Sequence, residues 1–324
     1  METPGEAAAH LNKLHQAVWQ VAAVTLALRD PDTVDVDLRY AADQVVAEAG
    51  LGSAERDDLR LGPGLAQLIE LQGGDQTRLA SQLATSILQA AALLSGATAW
   101  TRQGDEALLA QGRASAQGAQ PFKMFMVPMM AGLGELLAGP SPVMLDVGVG
   151  VGAMAVAWCQ AFPELHIVGI DVFSRALELA TRVVADAGLT DRIELRNQDV
   201  VVLDDRDTYC LVWLPAPFIP PDILESSLPR VATALVPGGW LILGHGKYGA
   251  DALSDSLQRF QTVAFGGTPL DNDAAELLLD RAGLESVATL PTPDGAPGIT
   301  VGRARRVGEV TVTDHAQHGS WRRR

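Results

Sequence analysis

Apolar residues recur at helical spacing near the start of the chain. The segment Thr3-Pro4-Gly5-Glu6 has the form of a capping box, which predicts where the first helix begins, and Asp30-Pro31 predicts its end. Steps of three and four place one apolar stripe on this helix, formed by Leu11, Leu14, Val18, Val21, Thr25 and Leu28. Such a stripe packs either inside the protein or against a second subunit, so a homodimer stays open.

Two further helices are predicted in the same region. One covers 38–49 and ends before Gly50, and a long alanine-rich one runs through 79–94. The polar, small-residue stretch 111–120 interrupts the pattern and is typical of a linker or a flexible loop. We therefore predict an all-helical N-terminal domain over residues 1–120, which serves dimerisation or covers a substrate.

From Val143 onward, short β-branched runs alternate with helical patterns. This alternation predicts βαβ units and a mostly parallel sheet, an α/β fold. Two last strands, within 284–290 and 299–304, are separated by a loop too short for a parallel crossover, so we expect an antiparallel hairpin at the sheet edge. The predicted domain spans 121–308, and 309–324 is expected to be a tail.

Charge and cysteine content exclude several classes of function. The formal net charge of −15 over 324 residues disfavours a nucleic-acid partner, because phosphates would be repelled. Two isolated cysteines, Cys159 and Cys210, offer neither a disulfide framework nor a metal site, which favours a reducing cytoplasm. The sequence also has no signal-peptide pattern and no apolar run long enough to span a membrane, so no membrane association is expected.

A glycine-rich loop carries most of the chemical information. LDVGVGVG, residues 145–152, follows a predicted strand and opens a helix, where glycines let the backbone approach a ligand closely. Asp171 ends the next strand, and a carboxylate there can accept both hydroxyl hydrogens of a ribose. Gly148, Gly150 and Ala153 also satisfy the dinucleotide pattern G-x-G-x-x-A, so an NAD-dependent oxidoreductase stays open as a second reading of the loop.

Three features outside the loop favour a different cofactor. Asp199 ends the third strand, where it could accept a hydrogen bond from an adenine amino group. Pro237-Gly238-Gly239 precedes the fifth strand, and the predicted hairpin closes the sheet, whereas the usual dinucleotide fold continues in parallel.

With these motifs in order, residues 143–306 resemble the class I S-adenosylmethionine-dependent methyltransferases. The resemblance implies a Rossmann-like sheet, S-adenosylmethionine as cofactor, and contacts from Asp146 to its methionine part. Val172 and Val200 would flank its adenine. The cofactor-binding residues that the resemblance implies are Asp146, Gly148, Gly150, Gly152, Asp171, Val172, Asp199, Val200 and Trp213.

The whole layout also resembles the dimeric small-molecule O-methyltransferases of natural-product biosynthesis, through the helical first domain and the segment 265–269. We therefore expect methyl transfer to a small, largely apolar metabolite. Met126 and Met130, in a methionine-rich segment, either line the acceptor or pack in the core, and Phe218 is the third candidate lining residue. The same motifs are also compatible with a non-methylating reaction on this cofactor or with a non-catalytic partner subunit.

The sequence gives few indications of which residue would act as a general base. The O-methyltransferases that this layout resembles carry a histidine after the fourth strand, but residues 213–221 contain none. Leu214 likewise stands where enzymes that methylate amino groups of DNA carry a polar residue. His245, after the fifth strand, is the remaining histidine at the carboxyl end of the sheet, and it serves either as a general base or only as a loop residue.

Overall fold

The structure is a computed structural model. The predicted tail at 309–324 lies outside the described residues. These residues are 3–55, 58–71, 76–96, 100, 104–249, 251–292 and 296–305.

The helices predicted in the first third are present. The capping box of the first helix is complete, since the Glu6 amide donates to the Thr3 hydroxyl at 3.3 Å and the Thr3 amide donates to the Glu6 carboxylate at 2.8 Å. A short antiparallel strand pair, β1 and β2, joins them and was not expected from the helical pattern. The elements are α1 (Pro4–Ala27), α2 (Val36–Glu48), β1 (Gly52–Glu55), β2 (Asp58–Leu61), α3 (Pro63–Leu71) and α4 (Gln76–Leu94).

The apolar stripe of α1 is divided between core and solvent. Its C-terminal end is buried, since Thr25 is 4% exposed and Leu28 lies in a cluster with residues of α2, α3 and α4. Its N-terminal half exposes Leu11, Leu14 and Val18 by 67%, 54% and 59%. The described residues therefore leave the first part of the stripe uncovered.

The stretch 111–120 is helical, so the prediction of a linker or flexible loop is wrong. It belongs to α5 (Asp105–Ala116) and α6 (Ala119–Pro121). Its polar residues bond to the neighbouring helix, because the Gln82 amide donates to Gln117 at 2.6 Å and the Gln89 amide donates to Gln111 at 2.8 Å. The boundary predicted at 120 thus falls inside a helical segment.

The methionine-rich segment forms a π-helical turn, Phe122–Met126, and a 3₁₀ turn, Val127–Met129, before α7 (Leu133–Leu137). Met130 is 1% exposed and lies in the main core, and Met126 packs against that core. Of the two interpretations of these methionines, packing is therefore the one that their positions support.

The predicted Rossmann-like sheet is confirmed. Its seven strands run in the order β5-β4-β3-β6-β7-β9-β8; β3 to β7 are parallel, and β9 is antiparallel to both β7 and β8. The C-terminal antiparallel hairpin is thus also confirmed. The strands are β3 (Val143–Val147), β4 (His166–Asp171), β5 (Ile193–Asn197), β6 (Tyr209–Pro215), β7 (Leu235–His245), β8 (Glu285–Leu290) and β9 (Gly298–Arg303).

Helices cover both faces of this sheet, because parallel strands alternate apolar residues to both sides. On one face α7, α8 and α9 contribute to a core with Met144, Leu211 and Ile242. On the other face α10 and α12 pack on Leu145 and Leu241. The remaining helices are α8 (Ala153–Ala161), α9 (Ser174–Asp186), α10 (Pro221–Ala234), α11 (Ala252–Ala264) and α12 (Asn272–Arg281).

The Pro237-Gly238-Gly239 segment lies within β7 rather than before it. Gly238 has a φ of +81°, and a Cβ at Gly239 would lie 3.0 Å from the Tyr209 carbonyl oxygen. The segment is a local irregularity, where the pairing of β6 with β7 changes register.

Among the described helices, none combines the length and the apolar character that crossing a lipid bilayer requires.

Candidate functional site

The carboxyl ends of β3 and β6 lie side by side at the centre of the sheet. The chain runs from β3 to β4 and β5 on one side, then returns to β6 on the other. This reversal opens a crevice above the strand ends, which is where ligands bind in open α/β sheets. The glycine loop follows β3 and therefore lies at this crevice.

Three glycines of the loop have left-handed backbone conformations. Gly148, Gly150 and Gly152 have φ values of +69°, +57° and +75°, which favour glycine over any residue with a side chain. The loop is held against β4, since the amides of Gly148 and Val149 both donate to the Ile170 carbonyl, at 2.8 and 3.1 Å. The sharp turn that the sequence predicts is present.

The glycines serve different purposes. A Cβ at Gly150 would approach only the Gly148 carbonyl oxygen, at 3.9 Å, so the backbone there borders open space. A Cβ at Gly152 would lie 3.3 Å from Ala180 and 3.4 Å from Val184, both on α9. Gly152 thus allows close packing of α8 on α9, whereas the space beside Gly150 is open, as a backbone that approaches a ligand requires.

Asp171 connects the loop to the end of β4. One carboxylate oxygen accepts a hydrogen bond from the Gly150 amide at 2.9 Å, and the other accepts one from the Phe173 amide at 2.8 Å. Burial raises the pKa of this carboxyl, and these two hydrogen bonds oppose the rise. Each oxygen retains acceptor capacity, so Asp171 can hold the loop and still accept from a ligand hydroxyl.

Asp146 is the most unusual group of the site. It is fully buried on β3, and neither of its carboxylate oxygens has a hydrogen-bond partner within the described structure. Burial, with a smaller contribution from the charge of Asp171, raises its pKa to about 8. A buried carboxylate without a partner is costly, so its position fits a ligand that donates hydrogen bonds, such as an ammonium group.

The third acid stands at the end of β5. One oxygen of Asp199 accepts a hydrogen bond from the Val201 amide at 3.0 Å and so caps a short 3₁₀ turn. Of the two valines implied by the resemblance, Val172 is 60% exposed beside Asp171. Val200 is instead buried in the core that contains Leu145 and Leu241. Val172 is therefore the better placed of the two to meet a ligand.

Trp213 lies on β6 opposite Asp146 of β3, on the same face of the sheet. Its half-buried ring fills the space over Gly244 of β7, where a Cβ would lie 2.8 Å from the indole. The glycine thus makes room for the indole beside the crevice.

Three aromatic rings meet beyond the end of β6. Phe218 and Phe265 are stacked, with centroids 5.5 Å apart, and Trp100 meets them at 5.1 and 5.7 Å. Trp100 also packs against the cluster that contains Val151 of the glycine loop. This aromatic triad therefore forms an apolar wall between the turn after β6 and the glycine loop.

The wall is held firmly on the side of β6. The Thr268 amide donates to the Ala216 carbonyl at 2.9 Å, and its hydroxyl donates to the Ile219 carbonyl at 2.7 Å. A Cβ at Gly267 would overlap the Pro217 carbonyl, so only glycine permits this approach. These contacts fix Phe265 relative to Phe218.

His245 is placed as a structural residue, and the geometry does not support the candidate role of general base. It is 1% exposed, and Nδ1 donates to the Gly246 carbonyl at 2.7 Å. Nε2 then accepts from the Thr300 hydroxyl at 2.8 Å, and Thr300 also bonds Thr289 at 2.9 Å. Burial lowers the pKa of the imidazole, and both nitrogens are occupied, so neither is available to a substrate proton.

The structure therefore brings Asp146, Gly148, Gly150 and Asp171 together at the crevice. Met130 and His245 lie in the core. The sequence pattern does not predict this burial, because the residues that cover them come from distant segments. The sequence pattern did not assign Trp100 or Phe265 to the site, although 265–269 contributed to the resemblance. Trp100 stands alone between polar segments, so periodicity carries no signal, whereas Phe265 precedes the Gly266-Gly267 pair that marks a close approach.

Part of the chain matches known methyltransferases in sequence. Residues 144–239 match the model of a methyltransferase domain family. A release factor glutamine methyltransferase of Rhodopirellula baltica is 29% identical over 150 residues, which are 45% of this chain and 47% of that protein. The same enzyme of Cereibacter sphaeroides is 28% identical over 178 residues, 49% of this chain and 58% of that protein. The chain thus spans about half the length of these curated relatives.

Solved structures match over nearly the whole chain. An O-methyltransferase family protein from Burkholderia thailandensis has a TM-score of 0.64 at 18% identity, with 93% of this chain and 98% of that one covered. A mitomycin 7-O-methyltransferase has a TM-score of 0.59 at 18% identity, covering 94% and 100%. At this identity the likeness concerns the fold. With the family match, it confirms the resemblance to class I methyltransferases with an N-terminal helical region.

The orphaned carboxylate of Asp146 predicts a pH dependence of stability in the protein without ligand. The pKa of Asp146 is raised in the folded state. The contribution of this group to the free energy of unfolding is therefore fully present below the ordinary aspartate pKa and is lost as the pH rises towards about 8. We expect the Tm of the parent to fall relative to that of Asp146→Asn between pH 5 and 9, as measured by differential scanning fluorimetry. Asp191→Asn, an exposed acid, is the control, and parallel curves for parent and Asp146→Asn would contradict the assignment.

A structural role of His245 predicts a loss of stability on truncation. His245→Ala removes the partner of Thr300 and of the Gly246 carbonyl, which should cost about 1–3 kcal/mol in the free energy of unfolding, as measured by urea titration. His166→Ala, on the exposed first position of β4, is the matched control. An unchanged unfolding midpoint for His245→Ala would count against this role.

Proposed function

We propose that this chain, whose residues 144–239 form a methyltransferase domain of the class I fold, transfers a methyl group from S-adenosylmethionine to a small, largely apolar acceptor. The observation that carries the proposal is the buried Asp146 carboxylate, which has no hydrogen-bond partner within the described structure and lies on the strand that leads into the glycine loop. A ligand with an ammonium group and a ribose satisfies both this carboxylate and Asp171.

Each cofactor residue would have a separate task. Asp146 accepts from the ammonium of the methionine part, Gly150 passes beneath it, and Asp171 accepts from the ribose hydroxyls. Val172 and Asp199 stand at the ends of β4 and β5, where the adenine would lie. When bound, the cofactor supplies an electrophilic methyl group, and the protein supplies position and a pocket poor in water.

The wall of Trp100, Phe218 and Phe265 supports an apolar acceptor, because it presents aromatic surface beside the glycine loop. The adjacent turn, 214–218, contains only apolar side chains and begins with the fully buried Leu214. It offers no polar side chain to a carboxamide, so the glutamine substrates named for the curated relatives fit this site less well.

Catalysis by positioning fits the environment of His245 better than proton abstraction by this residue. With both imidazole nitrogens engaged in the core, we assign no general base to the reaction. Holding an acceptor in line with the methyl group, with water excluded by the aromatic wall, would supply the acceleration.

We also propose that the protein is a homodimer. The N-terminal half of α1 exposes Leu11, Leu14, Val18 and Trp19 by half or more, and their spacing places them on one side of the helix. Contiguous exposed apolar surface of this kind marks an interface. The two buried free cysteines are compatible with the proposed cytoplasmic location.

The cofactor proposal predicts the effect of Asp171→Ala. Loss of a carboxylate that accepts from ribose and from the Gly150 amide should weaken S-adenosylmethionine binding by about 2–3 kcal/mol, measured by isothermal titration calorimetry. Asp191→Ala is the exposed control and should bind like the parent. Binding of NAD in place of S-adenosylmethionine would favour an oxidoreductase and overturn the proposal.

Methyl transfer itself is tested with isotope-labelled S-adenosylmethionine and fractions of apolar metabolites, followed by mass spectrometry. We expect a labelled product in reactions that contain the parent enzyme and no labelled product in reactions without enzyme. Cofactor binding without any labelled product would instead favour a non-methylating reaction on the same cofactor.

The dimer proposal predicts that Leu14→Asp/Val18→Asp elutes as a folded monomer. Both side chains are exposed within one chain, so the substitutions should leave the fold intact and disrupt only an interface. Size-exclusion chromatography with light scattering gives the mass, and circular dichroism reports the fold. Gln16→Asp/Gln20→Asp, with the same spacing and charge change on the opposite side of the same helix, serves as the control. A monomeric parent would refute the dimer.

A further inference from the structure

Helix α5 crosses the two segments that shape the cofactor site. Its Leu108 is buried in a cluster with Val151 of the glycine loop and Leu179 of α9. Phe173, whose amide donates to Asp171, packs against the same cluster. The helix therefore contacts the loop on one side and the segment after the ribose acid on the other.

The contact with the loop depends on a glycine in the middle of α5. A Cβ at Gly112 would overlap the Cγ2 methyl of Val151 and would lie 3.3 Å from the Cβ of Ala153. Val151 is 3% exposed and lies between Gly150 and Gly152, so its β-branched side chain has little room to rotate away. Glycine inside a helix costs about 1 kcal/mol relative to alanine, and here it permits the close approach.

A second contact joins the start of α5 to the start of α9. Arg175 Nε donates to Asp105 Oδ1 at 2.9 Å, and a second guanidinium nitrogen pairs with the other oxygen of Asp105. This ion pair is exposed to solvent, so its energetic contribution is small, and it joins α5 to α9 near the end of β4.

We propose that α5 holds the glycine loop in its ligand-binding conformation, with Gly112 as a positioning residue that acts through Val151. The proposal rests on the proposed cofactor site and goes beyond it. It makes the affinity for S-adenosylmethionine depend on the helical region before the catalytic domain. By thermodynamic reciprocity, cofactor binding also stabilises the docking of α5.

The test is Gly112→Ala, with S-adenosylmethionine binding measured by isothermal titration calorimetry. The added methyl group displaces Val151 and the loop, so we expect the Kd to rise about tenfold, within the usual range of coupling between sites. Gly64→Ala is the matched control, because Gly64 also lies in a helix of the N-terminal region and its Cβ would meet nothing within 4 Å. An unchanged Kd for Gly112→Ala overturns the proposal.

A rescue variant separates positioning from a general loss of structure. Val151→Ala removes the methyl group that the new Cβ would overlap, so Gly112→Ala/Val151→Ala should bind the cofactor more tightly than Gly112→Ala alone. A general loss of structure would instead give additive losses of affinity and Tm, and that result would overturn the role assigned to Gly112.

Hydrogen exchange on the parent tests the same coupling without substitution. Cofactor addition should slow exchange in peptides from α5 as well as in the glycine loop, while α3 stays unchanged. Protection confined to the catalytic domain would overturn the inference even where the cofactor binds. A parent that binds no S-adenosylmethionine would instead refute the proposed cofactor, so the two failures are distinguishable.

Discussion

One buried carboxylate without a partner determines the character of this site. Asp146 lies at the end of the central strand β3, shielded from water, and its raised pKa reflects that burial. A group of this kind is costly in the protein alone and becomes favourable only when a donor ligand arrives. The charge of Asp171 adds to this cost. On the proposed function, the stability of the protein without ligand and its affinity for a cofactor would both depend on Asp146.

The glycine loop is held from two sides. Asp171 binds the Gly150 amide from β4, and α5 presses on Val151 from the N-terminal region through Gly112. The loop between them is short and left-handed at three positions, so a shift on either side reaches the ligand-binding backbone directly. On the proposals above, this arrangement would give the N-terminal helices a part in cofactor binding besides the part in assembly proposed for α1.

The outcome at His245 and at the methionines follows from packing. His245 ends β7 at the edge where ligands bind, yet Gly298 of β9 leaves room for its ring, and the hydroxyl of Thr300 captures Nε2. Met130 similarly turns into the core under α7. A histidine or methionine near the ligand-binding end of a sheet can either face a ligand or pack in the core. Contacts with residues far away in the chain determine which of the two occurs.

The sequence by itself determined the order of strands from Val143 onward, the helices that connect the parallel strands, the antiparallel hairpin, and the acids and glycines at the strand ends. These follow from local periodicity, from the backbone conformations that only glycine adopts, and from the geometry of parallel crossovers. Only the tertiary structure decided that 111–120 is a helix, that Gly112 meets Val151, and that Trp100 joins Phe218 and Phe265. Those contacts join segments far apart in the chain, and no local pattern encodes the partner of a residue across such a distance.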